Sequence, residues 1–265
     1  MSLLWRNHLR ISLGAERLVL ADYERGLRPG KASASVIPVQ GNPNHPEWRA
    51  ALDALPEALA GFAGRDVSVV LADQFVRYVL LPWNAALKSA EQWLALARHR
   101  LDAVHGATAA NWNVRLTETA PSGPRLACAL DRELLAALTA RLVAANVRLV
   151  SVQPFLVAAF NRLRSGIRKA VGNGSCWLVI EEPRRLTLAF IQRGVWAAVR
   201  SRRTDAGWRA ALPELIQRES AFLALSEPCT RVIVCAQDGF DPELHEAFHT
   251  EAVNYGELAL AWEQA

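Results

Sequence analysis

The sequence lacks both a disulfide-forming cysteine pattern and a long uncharged apolar stretch. Its cysteines include no CxxC pair and no zinc-knuckle spacing, which indicates a reducing compartment. The most apolar stretch, residues 134–160, is interrupted by Arg141 and Arg148, so we expect no membrane span. Residues 1–8 contain no apolar signal core, and we expect no secretory signal. The cysteines are Cys128, Cys176, Cys229 and Cys235.

Strong positive charge is also missing. The formal net charge is +4 over 265 residues, and the only lysines before position 169 are Lys31 and Lys88. This falls well short of the lysine and arginine clustering of a dedicated nucleic-acid binder. Hydrophobic residues make up 51% of the chain and charged residues 21%, which is enough for a packed core and argues against disorder.

Strand and helix signals occur in two similar series. Gly- and Pro-bounded apolar runs and helical periodicity predict the first series as strands 9–14, 18–23 and 34–39, a helix from about His45 bent at Pro56, a long strand region 67–81, a helix capped by Ser89, strands 112–117 and 125–130, a helix from Asp131, strand 148–152 and helix 155–163. The second series is predicted as strands 176–180, 186–191 and 195–200, a helix at Trp208, strand 231–236 and a short helix from about Pro242.

The two series share an order of three strands, one helix and one strand. In both, the helix carries the sequence Trp-Arg-Ala-Ala-Leu, at Trp48 and at Trp208, which favours an internal duplication. Between them, residues 165–175 contain three glycines and little that is large and apolar, so we place a hinge there. The predicted organisation is a first lobe, 1–165, with an inserted subdomain at about 84–148, and a second, shortened lobe, 172–265.

This arrangement resembles the duplicated ribonuclease H-like module of the actin superfamily. Within it, the sequence resembles the assembly-platform proteins of the PilM and GspL (MshI-like) type, found in type IV pilus and type II secretion systems. The resemblance lies in residues 67–71, 75–83, 89–99, 126–143 and 149–155, and it extends more weakly into the second lobe. It implies an α/β, actin-like two-lobed fold with a small subdomain inserted in lobe one.

Nucleotide-binding members of this superfamily carry an acidic residue and glycines in the turn after the first strand of each lobe, where backbone N–H groups approach phosphate. Here Ser12 occupies the acidic position of the first turn. The second turn, residues 181–184, has no glycine and contains Pro183, which has no N–H. The adenosine-side glycine pair is absent, the nearest candidate being Gly239 after Asp238. We therefore expect no catalytic, cofactor-binding or metal-binding residue and no bound cofactor.

The motif His245-Glu246-Ala247-Phe248-His249 offers an alternative from another class. On a helix, HExxH places two imidazoles on one face to bind zinc, with Glu246 as general base. The sequence supplies no third ligand, because no histidine follows and Glu251 lies too close on the same helix. We therefore expect an exposed helix here and keep a zinc-dependent hydrolase as the alternative.

Arginines of the second lobe could contact phosphate groups, although arginines on a solvated sheet edge are the commoner situation. If they bind phosphate, a membrane surface is favoured over nucleic acid, because no aromatic stacking platform accompanies them. Trp5 and Trp262, near the termini, could contact a partner. The arginines are Arg184, Arg185, Arg193, Arg200, Arg202, Arg203 and Arg209.

Since the nucleotide-binding turns are degraded, the resemblance implies a non-catalytic cytoplasmic scaffold, peripheral at the inner membrane through its partners. The resemblance implies a single-pass inner-membrane assembly protein of the PilN or GspM type as the partner. The assembly ATPase and a second copy of the chain are further candidate partners. We expect no binding of nucleic acid. A functioning actin-like ATPase of the same machinery remains the first alternative.

Overall fold

A computed structural model describes residues 8–23, 33–117, 122–172, 174–205, 207–223, 225, 229–236 and 249–254. Its strands are β1 (His8–Leu13), β2 (Arg17–Tyr23), β3 (Ser33–Pro38), β4 (Asp66–Leu71), β5 (Val76–Leu81), β6 (Trp112–Leu116), β7 (Arg125–Asp131), β8 (Arg148–Pro154), β9 (Ser175–Glu182), β10 (Arg185–Gln192), β11 (Val195–Arg203), β12 (Arg231–Ala236) and β13 (His249–Asn254). Its helices are α1 (Arg49–Ala58), α2 (Ala90–His105), α3 (Arg132–Ala144), α4 (Phe155–Val171) and α5 (Trp208–Phe222), with short 3-10 helices at Asp73–Phe75 and Gly106–Asn111.

The first sheet has the order β3-β2-β1-β4-β8. β1 pairs antiparallel with β2 and parallel with β4, and β8 continues the parallel set. Because strand side chains alternate between faces, Leu9, Ile11 and Leu13 all lie on one face, where they pack with α1 and α3. These three side chains are fully buried, and the burial of each stabilises the fold by about 1.5–3 kcal/mol.

The second sheet repeats this topology with the order β11-β10-β9-β12-β13. Again the first strand of the series, β9, pairs antiparallel with the next strand and parallel with the strand after the helix. Residues 176–180 of β9 are buried without alternation, which is typical of a strand covered on both faces. Helix α5 packs on one face through Trp208, Leu212 and Ile216.

The repeated Trp-Arg pair has the same geometry in the two series. Trp48 precedes α1 and Trp208 begins α5, and each side chain is 5% exposed. The guanidinium carbon of Arg49 lies 5.6 Å from the Trp48 ring centre, and that of Arg209 lies 5.6 Å from the Trp208 ring centre. Shared strand order and this shared contact agree with the predicted internal duplication.

A third, smaller sheet has the order β5-β7-β6 and is covered by α2. Its separate apolar core includes Leu81, Trp93, Leu101 and Val114. The predicted start of α2 at Ser89 is confirmed, because Ser89 Oγ accepts a hydrogen bond from Gln92 N and the Gln92 side chain bonds back to Ser89 N.

Several predicted elements differ from the structure. The long strand region 67–81 is two strands in different sheets, because the 3-10 helix Asp73–Phe75 separates β4 from β5. Pro56 does not break α1, since it lies in the last turn and removes only one helix hydrogen bond. Helix α4 runs through Gly166 to Val171 and therefore takes up much of the predicted hinge 165–175, where Ile167 is 3% exposed and anchors it.

By residue contacts, the described chain divides into two units. One contains residues 8–76 and 130–158, with the first sheet, α1 and α3. The other contains residues 77–129 and 159–254, with the small sheet and the second sheet. The lobe boundaries at 165 and 172 stay a prediction. Within the described residues, no helix combines the length and the apolar character that a membrane crossing requires.

Candidate functional site

The turn between β1 and β2 is tightly closed on itself. Gly14 N donates to Arg17 O at 3.0 Å, so this N–H is already used inside the turn. A Cβ on Gly14 would lie 3.1 Å from Arg17 O, which explains the glycine by close backbone approach. Ser12 is 7% exposed and pairs with Val19 within the sheet. The first turn thus has no carboxylate at position 12, and the backbone N–H of Gly14 is already bonded within the turn.

The turn between β9 and β10 has two residues, Pro183 and Arg184, because Glu182 pairs directly with Arg185. Proline followed by a residue with positive φ is typical of a type II turn, and Arg184 has φ 58°. Pro183 provides no N–H to a ligand. This turn therefore cannot present the run of backbone N–H groups that a phosphate-binding loop requires.

Two glutamates precede the second turn: Glu182, which is 2% exposed and adjoins Pro183, and Glu181, which is engaged with helix α5. Glu181 Oε1 accepts a hydrogen bond from Trp208 Nε1 at 2.8 Å, and its Oε2 lies 3.6 Å from an Arg209 guanidinium nitrogen. These contacts connect the end of β9 to the first turn of α5. They give Glu181 a structural role in this part of the fold.

The seven second-lobe arginines do not form one cluster. Arg202 pairs with the buried carboxylate of Glu219, Arg209 pairs with Glu181, and Arg185 donates to Ser201 Oγ at 3.0 Å. Arg193, with φ 53°, lies in the turn at the opposite end of β10 from Arg185. Two of the seven are thus neutralised by carboxylates and one lies apart.

A groove of about 530 Å³ runs between β11 and α5. Arg202, Arg203 and Arg218 line it together with Asp205 and Glu214. Since Arg202 is already paired with Glu219, the remaining charges of the lining are two cations and two anions. The cations are Arg203 and Arg218, and the anions are Asp205 and Glu214. The groove is therefore close to neutral and is not a strong anion site.

The predicted HExxH helix is not formed at its second histidine. His249 begins strand β13, which pairs parallel with β12, Arg231 opposite His249. A strand residue cannot share a helix face with a residue four positions earlier. His245 and Glu246 lie outside the described residues, as do Asp238, Gly239, Trp5 and Trp262. In the part of the chain that the structure describes, no group of three or more metal-ligating side chains occurs.

A second groove, of about 340 Å³, lies where the chain passes from β5 into α2. We call it the tryptophan groove; its lining includes Trp83, Leu87, Lys88, Trp93 and Arg125. The sequence did not indicate this groove, because Arg125 comes from a strand distant in sequence from Trp83 and Trp93. The exposure of Trp83, 42%, could not be anticipated from its neighbours in the sequence.

Comparison with known proteins gives no match to a family model and no match among curated proteins. Solved structures do match. A PilM-PilN type IV pilus biogenesis complex aligns with a TM-score of 0.66 at 15% identity, over 95% of this chain and 89% of the other. A Bacteroides thetaiotaomicron protein with an actin-like ATPase fold and unknown function aligns with a TM-score of 0.66 at 12% identity, over all of both chains.

The cytoplasmic domain of EpsL, an inner-membrane component of the Vibrio cholerae type II secretion system, aligns with a TM-score of 0.60 at 13% identity, over 96% of this chain and 93% of the other. At these identities the likeness shows the fold alone. The chain has the actin-like α/β fold, and the sequence-based prediction of that fold and of the PilM and GspL resemblance is confirmed.

Proposed function

We propose that this protein is a non-catalytic scaffold of a type IV pilus or type II secretion-like assembly platform. The observation that carries the proposal is that a PilM-PilN complex and an EpsL cytoplasmic domain each align with more than nine tenths of this chain. In this role the chain lies in the cytoplasm, at the inner membrane, and binds the cytosolic tail of a single-pass membrane protein similar to PilN or GspM. The assembly ATPase and a second copy of the chain are further partners in the proposal.

The absence of catalysis is the second part of the proposal, and the two turns support it. Gly14 N is bonded within its own turn, and Pro183 removes a donor from the other. Glu181 is held by Trp208 and Arg209. An ATPase would need free backbone donors and a carboxylate for the metal-bound water in these places. The chain keeps the actin-like architecture while these turns serve the sheets themselves.

The test is a binding measurement with the full chain. The cytosolic tail of a PilN- or GspM-type membrane protein from the same organism is synthesised with a fluorescent label, and its anisotropy is followed as protein is added. We expect saturable binding in the micromolar range, about −8 kcal/mol, with a scrambled tail as control. Failure of the tail to bind, or ATP hydrolysis by the purified protein, would contradict the proposed function.

A further inference from the structure

The tryptophan groove combines an exposed aromatic ring with a rigid base. The Trp83 and Trp93 ring centres lie 5.8 Å apart with an interplanar angle of 26°, so the exposed ring stacks on a buried one. The guanidinium carbon of Arg125 lies 5.0 Å from the Trp93 ring centre. Trp93 belongs to the core of the small sheet, and therefore Trp83 rests on a fixed support.

The loop that forms the wall of the groove is held in place by local hydrogen bonds. Asn84 Oδ1 accepts from Ala86 N at 2.9 Å, and Leu87 N donates to Asn84 O at 3.2 Å. Lys88 N donates to Gln92 Oε1, which belongs to the capping box of α2. A surface that is ordered before binding loses little conformational entropy when a partner docks.

The charge of the groove is positive. Lys88 and Arg125 both line it, and the first turn of α2 adds the partial positive charge of a helix N-terminus. Arg125 Nε is shielded from solvent and has no hydrogen-bond partner among the described residues. Glu91 lies in the first turn of α2 but does not line the groove. Among the described residues no carboxylate pairs with Lys88 or Arg125, so the groove offers an aromatic floor beside two cationic donors.

We propose that the tryptophan groove is the docking site for an extended segment of a partner protein that carries an apolar or prolyl side chain next to a carboxylate. The apolar side chain covers Trp83, and the carboxylate meets Lys88 and Arg125. Buried aromatic anchors flanked by charge-assisted hydrogen bonds are the usual centres of protein interfaces. This inference rests on the proposed scaffold function, since it assigns to this groove the contact with the protein partner.

A peptide fits these features better than a single-stranded nucleic acid. The groove holds one exposed ring and two cationic side chains, whereas nucleic-acid grooves follow the backbone over several nucleotides with successive stacking rings. Its volume, about 340 Å³, is near the lower limit for small-molecule sites and accommodates a few side chains.

The experiment uses the full chain and a phage-displayed library of random dodecapeptides. We expect enriched peptides to combine acidic with apolar or prolyl residues, and a labelled synthetic copy to lose affinity about tenfold or more with Trp83→Ala and with Lys88→Glu. Arg125→Gln, which removes the charge and shortens the side chain, should also weaken binding. Val104→Ala, an exposed apolar position on α2 outside the groove, is the matched control and should bind normally.

Three outcomes would overturn the inference: enriched peptides that bind Trp83→Ala as tightly as the native chain, enrichment of basic peptides, or a thymidine dodecamer bound as tightly as the peptides. The membrane partner's tail then separates this inference from the proposed function. If that tail binds the native and Trp83→Ala proteins equally, the scaffold function holds and the groove assignment is wrong. If library peptides bind the groove but the tail does not bind at all, the groove assignment holds and the proposed membrane partner is wrong.

Discussion

Asp73 Oδ1 accepts a hydrogen bond of 2.9 Å from the backbone N–H of Leu156, across 83 positions of sequence. Asp73 is fully buried in the 3-10 helix that follows β4, and Leu156 is the second residue of α4. The first four N–H groups of a helix have no partner within it. Asp73 therefore acts as a long-range cap, which connects the end of one strand to the start of a helix distant in sequence.

Asp73→Ala should lower the free energy of unfolding by about 1 to 3 kcal/mol, because the Leu156 N–H is left unsatisfied in a buried place. Asp73→Asn keeps an acceptor oxygen at the same position and should cost less. Urea denaturation of both variants measures the difference. Glu57→Ala, at an exposed position of α1, is the control, and an equal loss in control and Asp73→Ala would contradict the capping role.

The sequence predicted most strands and helices because periodicity and turn residues are local signals. It could not predict the Asp73 cap or the tryptophan groove, since each depends on residues that only the tertiary fold brings together. It also missed β13, whose residues His249–Asn254 carry little apolar pattern and are paired at a sheet edge. The HExxH motif drew the interpretation of the same segment toward a helix, although a parallel strand partner decides its conformation.

The ion pair between Arg202 and Glu219 should contribute more to the free energy of unfolding than the other arginines of the second lobe do. The Glu219 side chain is 3% exposed, so removing Arg202 leaves a carboxylate with little access to water. Arg202→Ala should destabilise the protein by about 1 to 3 kcal/mol, a value below that of a fully buried pair because Arg202 is itself 39% exposed. The neighbouring Arg203→Ala should stay within about 0.5 kcal/mol.

Thermal and urea unfolding of these two variants give the comparison. A further variant, Arg202→Met with Glu219→Leu, replaces the pair by apolar side chains and should recover most of the loss. Equal effects of Arg202→Ala and Arg203→Ala would show that the pair contributes nothing specific.

The protein should not bind ATP with a dissociation constant below about 1 mM, a binding free energy weaker than about −4 kcal/mol. The reason is the missing N–H of Pro183 and the internally bonded Gly14 N. Isothermal titration with ATP and magnesium measures the affinity. Micromolar binding, or turnover that is lost with Ser12→Ala or Glu181→Gln, would show that the turns still hold nucleotide.

The free energy of unfolding should decrease as the pH falls below neutral, because His105 becomes protonated. Partial desolvation of the ring, and secondarily the charge of Arg77, lower the pKa of His105 below 6.5 in the folded protein. As pH falls below about 6.5, His105 takes up a proton in the unfolded chain before it does so in the folded chain. The contribution of neutral His105 to the free energy of unfolding is therefore present above that pH and is lost as pH falls through the folded pKa. The Trp112 ring, 4.9 Å from the His105 ring, covers it at its edge.

The pKa of His105, followed by NMR, should rise toward 6.5 in Arg77→Gln. In His105→Gln the free energy of unfolding should depend less on pH between about 5 and 7. A pKa of His105 above 6.5 in the native chain would contradict the effect of desolvation.

The predicted first lobe should fold without the second when it ends after α4. The core of the first sheet and the core of the small sheet are each built from residues before 172, whereas the core between α5 and the second sheet is built from residues after it. Across the cut, the Phe160 ring of α4 packs on the Trp196 ring of β11, with 4.2 Å between the ring centres, so the fragment loses this aromatic contact. Because α4 continues to Val171, a fragment 1–172 keeps that helix whole, while a cut within the predicted hinge removes its last turn.

Fragment 1–172 should unfold cooperatively in urea and bind the same peptides as the full chain, since all lining residues of the tryptophan groove lie within it. Fragment 1–165 is the matched control and should be less stable, since it loses residues 166–171 of α4. If fragment 1–172 unfolds without cooperativity while the full chain unfolds in one transition, the first lobe depends on the second, and the predicted boundary does not separate independent folding units.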